Sequence, residues 1–141
     1  MMNRILIGTV VGAVISFLVG WLVFGVVLMN FIESNMVSYP GLMKMPPDMI
    51  QLFLSNIFWN LTMAFIFVKW AKVYTFKKGM IVSMMVCIPI SISIDLQYMA
   101  FMNLYKDFTI VIVDALGTAV MAAIVGGCMG WIYGKMGELP E

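Results

Sequence analysis

Four stretches of this chain, about residues 5–31, 49–68, 80–103 and 108–133, are apolar over the roughly 20 residues that a helix needs to cross a bilayer. Backbone amides in hydrocarbon have no water to bond, so such stretches fold as helices that satisfy themselves. What remains of the chain cannot cover them. Only 11% of the 141 residues are charged and 63% are hydrophobic, with a mean hydropathy of +1.04, whereas a water-soluble domain is about a quarter charged. The expected fold is therefore all-α: one polytopic membrane domain over residues 1–141, with four transmembrane helices in an antiparallel bundle and the lipid bilayer as its main partner.

The connections follow from proline, glycine and charge. Pro40, Gly41, Pro46 and Pro47 make 32–48 a loop, and Pro47–Asp48 suits the start of the second helix. "KWAKVYTFKKG" is a short basic link, and "YKDF" a tight turn before the last helix. The first run is too long, and too poor in an A-x-A-like site, for a cleaved signal peptide. Arg4, Lys69, Lys72, Lys77, Lys78 and Lys135 fall on one side of the expected membrane and Lys44 and Lys106 on the other. The positive-inside rule then predicts an inner-membrane, multi-pass protein with both termini cytoplasmic. So strong a bias argues against insertion in both orientations.

Several function classes drop out. The chain has no histidine, which removes imidazole-ligated haem, His-based zinc and Ser-His or Cys-His catalysis within the chain. A net charge of +1, without basic residues interleaved with aromatics, gives no case for nucleic acid. Cys87 and Cys128 form no CxxC pair and read as small buried hydrophobes. Met43, Met45 and Met49 crowd one loop and its exit, and thioethers suit Cu(I), but apolar filler is the preferred reading. The ionisable loop residues Glu33, Tyr39, Lys44 and Asp48 form no nucleophile-plus-base set, and "SIDLQ" and "IVDALG" match no intramembrane aspartyl protease motif. We expect no catalytic residues, no metal and no cofactor.

Small residues recur every fourth position. The first run has Gly8, Gly12, Ser16 and Gly20, and the last has Asp114, Thr118, Ala122, Gly126, Gly130 and Gly134. The third has Gly79, Ser83, Cys87, Ser91 and Asp95, and the second Asn56, Asn60 and Ala64. Residues four apart share a helix face, and in lipid such faces bring backbones together. These stripes predict packing seams, with a possible contact to a second copy or another membrane subunit. Pro89 is expected to bend its helix and free a carbonyl that Ser91 or Ser93 compensates.

Two of the stripes carry an acid. Asp95 lies eight residues in from residue 103 and Asp114 six in from Phe108, or about 12 and 9 Å at the helical rise. Asn56 reaches a similar level, Asn60 is one turn deeper, and Gln97 and Thr118 are near in depth. No base lies at that level, although Lys106 could snorkel back from the turn. Two close carboxylates in low dielectric cannot both stay ionised, so a proton is shared or one acid is neutral. Three readings compete. Asp95, Asp114, Asn56 and Asn60 bind a proton or small cation in a transport or coupling step; or the acids are protonated hydrogen-bonding glue; or one meets a base on a partner subunit. A hydrogen bond between helices returns about 0.6 kcal/mol, against roughly 2.5–3.5 kcal/mol for inserting a charge. That imbalance favours function.

"FLVGWLVFGVVL" in the first run and "IVDALGTAVMAAIVGGCMGWIYGK" in the last resemble small four-helix bacterial integral membrane proteins of Bacteroidetes type. Those proteins combine a Gly-aromatic first helix, a long polar-Pro loop, and a last helix with an early Asp or Asn and Gly-rich spacing before a tryptophan. The resemblance implies fold and membrane location and brings no activity or site residues. Small multidrug exporters match in length and span number but carry a glutamate in the first helix, whereas the first acid here is Glu33. The functional expectation is proton or small-cation transport or coupling through a polar layer in the outer half of the bundle. Its alternative is a non-catalytic structural or assembly subunit.

Overall fold

Where the apolar runs start and stop as helices is decided by a few polar side chains and two widened turns. The computed structural model describes residues 1–44 and 46–137; Met45, the middle member of the methionine group weighed as a copper site, lies outside them. Helix α3, Met49–Phe65, starts where the Asp48 carboxylate accepts from the Ile50 and Gln51 amides, both at 3.1 Å. This is an N-cap that satisfies orphan donors of the first turn. Helix α4, Phe76–Phe101, starts where Thr75 Oγ1 accepts from the Lys78 amide. The cap falls inside the basic link, so the helix begins four residues before the expected 80. Asp107 accepts from the Thr109 amide at 2.7 Å ahead of α5, Thr109–Lys135. Those hydrogen bonds to Thr109 hold the exposed Asp107 carboxyl below the usual carboxylate range.

The first apolar run is not one uniform helix. Helix α1, Met2–Leu22, passes into a π-helical turn, Val23–Val27, before the short α2, Met29–Asn35. The Leu28 amide bonds back five residues to Val23 O at 2.8 Å, the mark of a π-turn. The extra residue brings Phe24 and Leu28 together over Gly117 of α5, where a Cβ would meet both. A second π-turn, Ile66–Trp70, ends α3. Counted with these turns, Met2–Val27, Met49–Trp70, Phe76–Phe101 and Thr109–Lys135 are four helices long and apolar enough to cross a membrane.

Close helix contacts join α4 to α5, α1 to α3, and α1 to α5. In the α4–α5 pair the start of one helix meets the end of the other, and backbone approaches backbone. A Cβ on Gly79 would fall on the Gly126 carbonyl oxygen, one on Gly126 would strike Ser83, and one on Gly130 would strike Thr75 O. The buried residues of α4 are Gly79, Ser83, Cys87 and Asp95. Pro89 lies within α4, which runs unbroken past it. Ser91 Oγ donates to Ile88 O at 3.0 Å, rather than to Met85 O, the carbonyl four residues back that a proline leaves without a donor.

The apolar core is concentrated at the Arg4 end, where Ile5, Phe67, Val73, Met129 and Tyr133 are fully buried. Tyr133 stands edge-on to Phe67, with ring centroids 6.4 Å apart, and its hydroxyl occupies the space a Gly8 side chain would need. Here Arg4 donates to Met136 O at 2.7 Å and to Gly137 O, placing a cation on the exposed carbonyls that end α5.

At the opposite end the 32–48 loop is tied down. Val37 N bonds Leu104 O at 2.8 Å, Lys106 N bonds Asn35 O at 2.9 Å, and Tyr39 Oη bonds Asn103 O at 2.8 Å. Met36 and Tyr105 thereby form an antiparallel bridge.

The close approach of α4 to α5 makes a contrast testable. Gly79→Ala should cost about 1–3 kcal/mol by overpacking, lowering the thermal midpoint of the purified protein by several degrees. Gly20→Ala puts its Cβ 3.5 Å from Met121 Cε, an ordinary contact, and should leave the midpoint nearly unchanged. Equal midpoints for the two variants would contradict this packing.

Candidate functional site

The antiparallel register of α4 and α5 carries two acids to the same level. Asp95, on the buried stripe of α4, is 6% exposed. Asp114, one turn into α5, is half-buried, with its carboxyl within hydrogen-bonding reach of both Asp95 and the Thr118 hydroxyl. Asp95 Oδ1 accepts from Tyr105 Oη at 2.8 Å, while its buried Oδ2 has no donor. Ionised carboxylates are acceptors only. Two of them in mutual reach form a bond only if one carries a proton.

Tyr105 reaches Asp95 because the loop bridge holds the turn down over the end of α4. Its ring stands edge-on to Tyr98, with centroids 6.5 Å apart. Burial, the hydrogen bond to Asp95 and the nearby acids raise the Tyr105 phenol above its ordinary range. Lys106 does not turn back toward the acids: its ammonium donates to Ser34 O at 2.7 Å.

The amides belong to a second polar group. Asn60, fully buried, donates through Nδ2 to Ser16 Oγ at 2.9 Å and to Asn56 O at 2.8 Å. Asn56 Nδ2 is turned to Leu52 O at 2.8 Å. The Asn60 Oδ1 atom lies against Gly12 and has no donor. Asn56, Asn60 and Ser16 line a cavity of about 220 Å³, whose wall also includes Ser83, Cys87 and Thr118.

The four residues expected to form one layer therefore fall into two pairs: Asp95 with Asp114, and Asn56 with Asn60 at the cavity. Thr118 belongs to both surroundings. Gln97, near in depth, reaches toward Ser93 at 3.5 Å on an exposed face and joins neither. Tyr105 escaped the sequence reading. It is ten residues past Asp95 in a turn whose position depends on pairing with a loop some seventy residues earlier, and helical spacing carries no sign of that. Ser16, read as a packing residue, is also the hydrogen-bond partner of Asn60. Among the described residues no group of three His, Cys, Asp or Glu side chains is placed to hold a metal ion.

Comparisons with protein families, curated proteins and solved structures gave no match, so the site is read from its own geometry.

The Tyr105 bond predicts a pH signature. The phenol donates to Asp95 while protonated, so the bond should persist above pH ~10, the ordinary tyrosine range, and be lost only as pH rises through the raised value. Phenolate absorbance should show late-ionising tyrosine in the wild type and one such group fewer in Tyr105→Phe. Loss of a group that ionises near pH ~10 instead would place Tyr105 in free solvent.

Proposed function

We propose that this chain is a multi-pass membrane protein whose four long helices cross the bilayer as an antiparallel bundle, with both termini cytoplasmic. On this reading the Asp95–Asp114 pair holds an exchangeable proton as part of a transport or coupling step. Four apolar helices of spanning length support the membrane setting. The orientation rests on the basic residues: Arg4 caps α5 at the end that also bears Lys72, Lys78 and Lys135, whereas Lys106 lies at the other.

The observation that carries the proton is the pairing of two acids within the expected spans, with a phenol on one oxygen and no donor on its neighbour. An ionisable residue at membrane depth is costly and commonly marks an ion or proton path. Holding it solely as glue between helices returns little. A proton is favoured over a metal cation because a single hydrogen satisfies the pair, while Asn56 and Asn60 stand apart from the acids at the cavity. Tyr105 would set access to the pair from outside, because its hydroxyl covers Asp95 Oδ1 and its backbone is part of the loop bridge.

The protein should fractionate with membranes and resist alkaline washing. Reconstituted in lipid, it should show a protonated-carboxyl infrared band that fades as pH rises. Asp95→Asn combined with Asp114→Asn should abolish the band while leaving helical content and thermal midpoint intact. A band indifferent to pH and to Na⁺ would favour the structural-subunit alternative. Unfolding of the double variant would make the acids part of the fold.

A further inference from the structure

The packing order leaves one side of the molecule loose. Helices α4 and α5 lie in close contact, as do α1 and α3, and α1 and α5 join the two pairs. Helices α3 and α4 stand at the two ends of this series. The cavity of about 220 Å³ lies between them, with residues of α1 and α5 completing its wall.

We infer that this cleft is a binding site for a small uncharged molecule with hydrogen-bonding groups on an apolar frame, admitted sideways from the bilayer. The wall selects against charge, because every lining side chain is neutral and both carboxyls lie outside it. A charged ligand would be desolvated there without a counter-ion, at a cost of several kcal/mol per ion. The same wall is too polar to favour a plain hydrocarbon. Ser55, Asn56, Ser83, Ser91 and Thr118 bring hydroxyls and an amide to it, while the unpaired Asn60 oxygen is turned to Gly12. Hydroxyls and amides both donate and accept, so this wall suits a molecule that does the same.

Size and access narrow the class. The volume is below the 300–1,000 Å³ of sites for drug-sized ligands and suits about ten non-hydrogen atoms at protein packing density. Thioethers of Met63, Met121 and Met129 contribute an adaptable apolar surface. The mouth is flanked by Trp59, Ile90 and Ile94, which are 39%, 37% and 42% exposed. The Trp59 indole reaches across to Cys87. Trp59 lies ten residues into α3, and Ile90 fourteen into α4, or about 15 and 21 Å at the helical rise. The mouth is therefore at mid-helix, far from either water-facing end. Access from lipid rests on the membrane reading above; the chemistry of the wall does not, and neither depends on the proton.

The test uses protein in lipid nanodiscs, with Trp21, Trp70 and Trp131 replaced by Phe so that Trp59 is the only emitter. 6-Bromohexan-1-ol, a neutral heavy-atom quencher, should quench Trp59 saturably. Hexan-1-ol should relieve the quenching, and hexylammonium should not. Ser91→Leu, which fills the cavity from α4, should weaken the saturable component about tenfold or more. Ser55→Leu, filling it from an exposed position on α3, should do the same if the first variant folds poorly. Ser93→Leu, the same change outside the cavity, should leave quenching as in the wild type. Quenching that rises linearly with quencher in the bilayer, that ignores both filling variants, or that hexylammonium relieves equally would overturn the site. Asp95→Asn with Asp114→Asn should keep saturable quenching that hexan-1-ol relieves, so failure of the proton reading is seen separately. Protein found in the soluble fraction would sink the membrane reading, and access from lipid with it, before any probe is added.

Discussion

The closeness of α4 to α5 is the constraint on which the other features depend. Because Gly79, Gly126 and Gly130 lack side chains, the two backbones meet where any Cβ would collide. In the bilayer setting proposed for this chain, helices gain no hydrophobic reward for associating, so dispersion and backbone proximity would hold them. The contact is also a register. Once Gly79 is set against Gly130, and Ser83 against Gly126, antiparallel geometry brings Asp95 to Asp114 four turns further along α4. A slip of one helical turn would part the acids, leaving Asp95 opposite Ile110 and Asp114 opposite Ser91, or Asp95 opposite Thr118 and Asp114 opposite Met99. The glycines at one end and the acids at the other are parts of a single alignment.

That alignment lowers the cost of the two acids, which have no counter-ion beside them among the described residues. A buried charge without a partner is among the costliest features a fold can carry. Here the cost is lowered by a phenol donating to Asp95, a hydroxyl near Asp114, and one hydrogen that the two carboxyls can share. The phenol depends on structure outside the helices. Residues 35–37 pair with 104–106 through backbone bonds, Lys106 spans to Ser34, and together they hold Tyr105 over the end of α4. A loop with the composition of a solvated connector thus acts as a strap.

The sequence made the helical elements legible because hydropathy acts along the chain. The level of the two acids was legible too, since helical rise is uniform. The four-residue series could be written down directly, and four of its members on α4, Gly79, Ser83, Cys87 and Asp95, are that helix's buried residues. Three things were not legible. The π-turn at Val23–Val27 lies where Phe24 and Leu28 meet Gly117 on another helix, a contact that nothing local announces. Tyr105 reaches Asp95 through a bridge between distant loops. The separation of Asn56 and Asn60 from the acids reflects which helices pack closely, and depth along a helix says nothing about direction around it. Periodicity identifies a face, but not the neighbour that the face meets.

Loose and tight sides of one small protein then have distinct chemistry: acids on the tight α4–α5 seam, neutral hydroxyls and amides in the α3–α4 cleft. Thr118 is the residue common to both, close to Asp114 and lining the cavity. A hydroxyl has one hydrogen to donate. A molecule in the cleft that accepted it would withdraw it from Asp114, leaving that carboxylate less well served and strengthening its hold on a proton. Binding free energies are reciprocal, so protonation of the pair would in turn release the hydroxyl and favour the molecule in the cleft. Such coupling needs no large motion, only the rotation of a single side chain between two acceptors. It would give a four-helix chain a means of linking a proton to a neutral ligand without passing a charge through the neutral cavity.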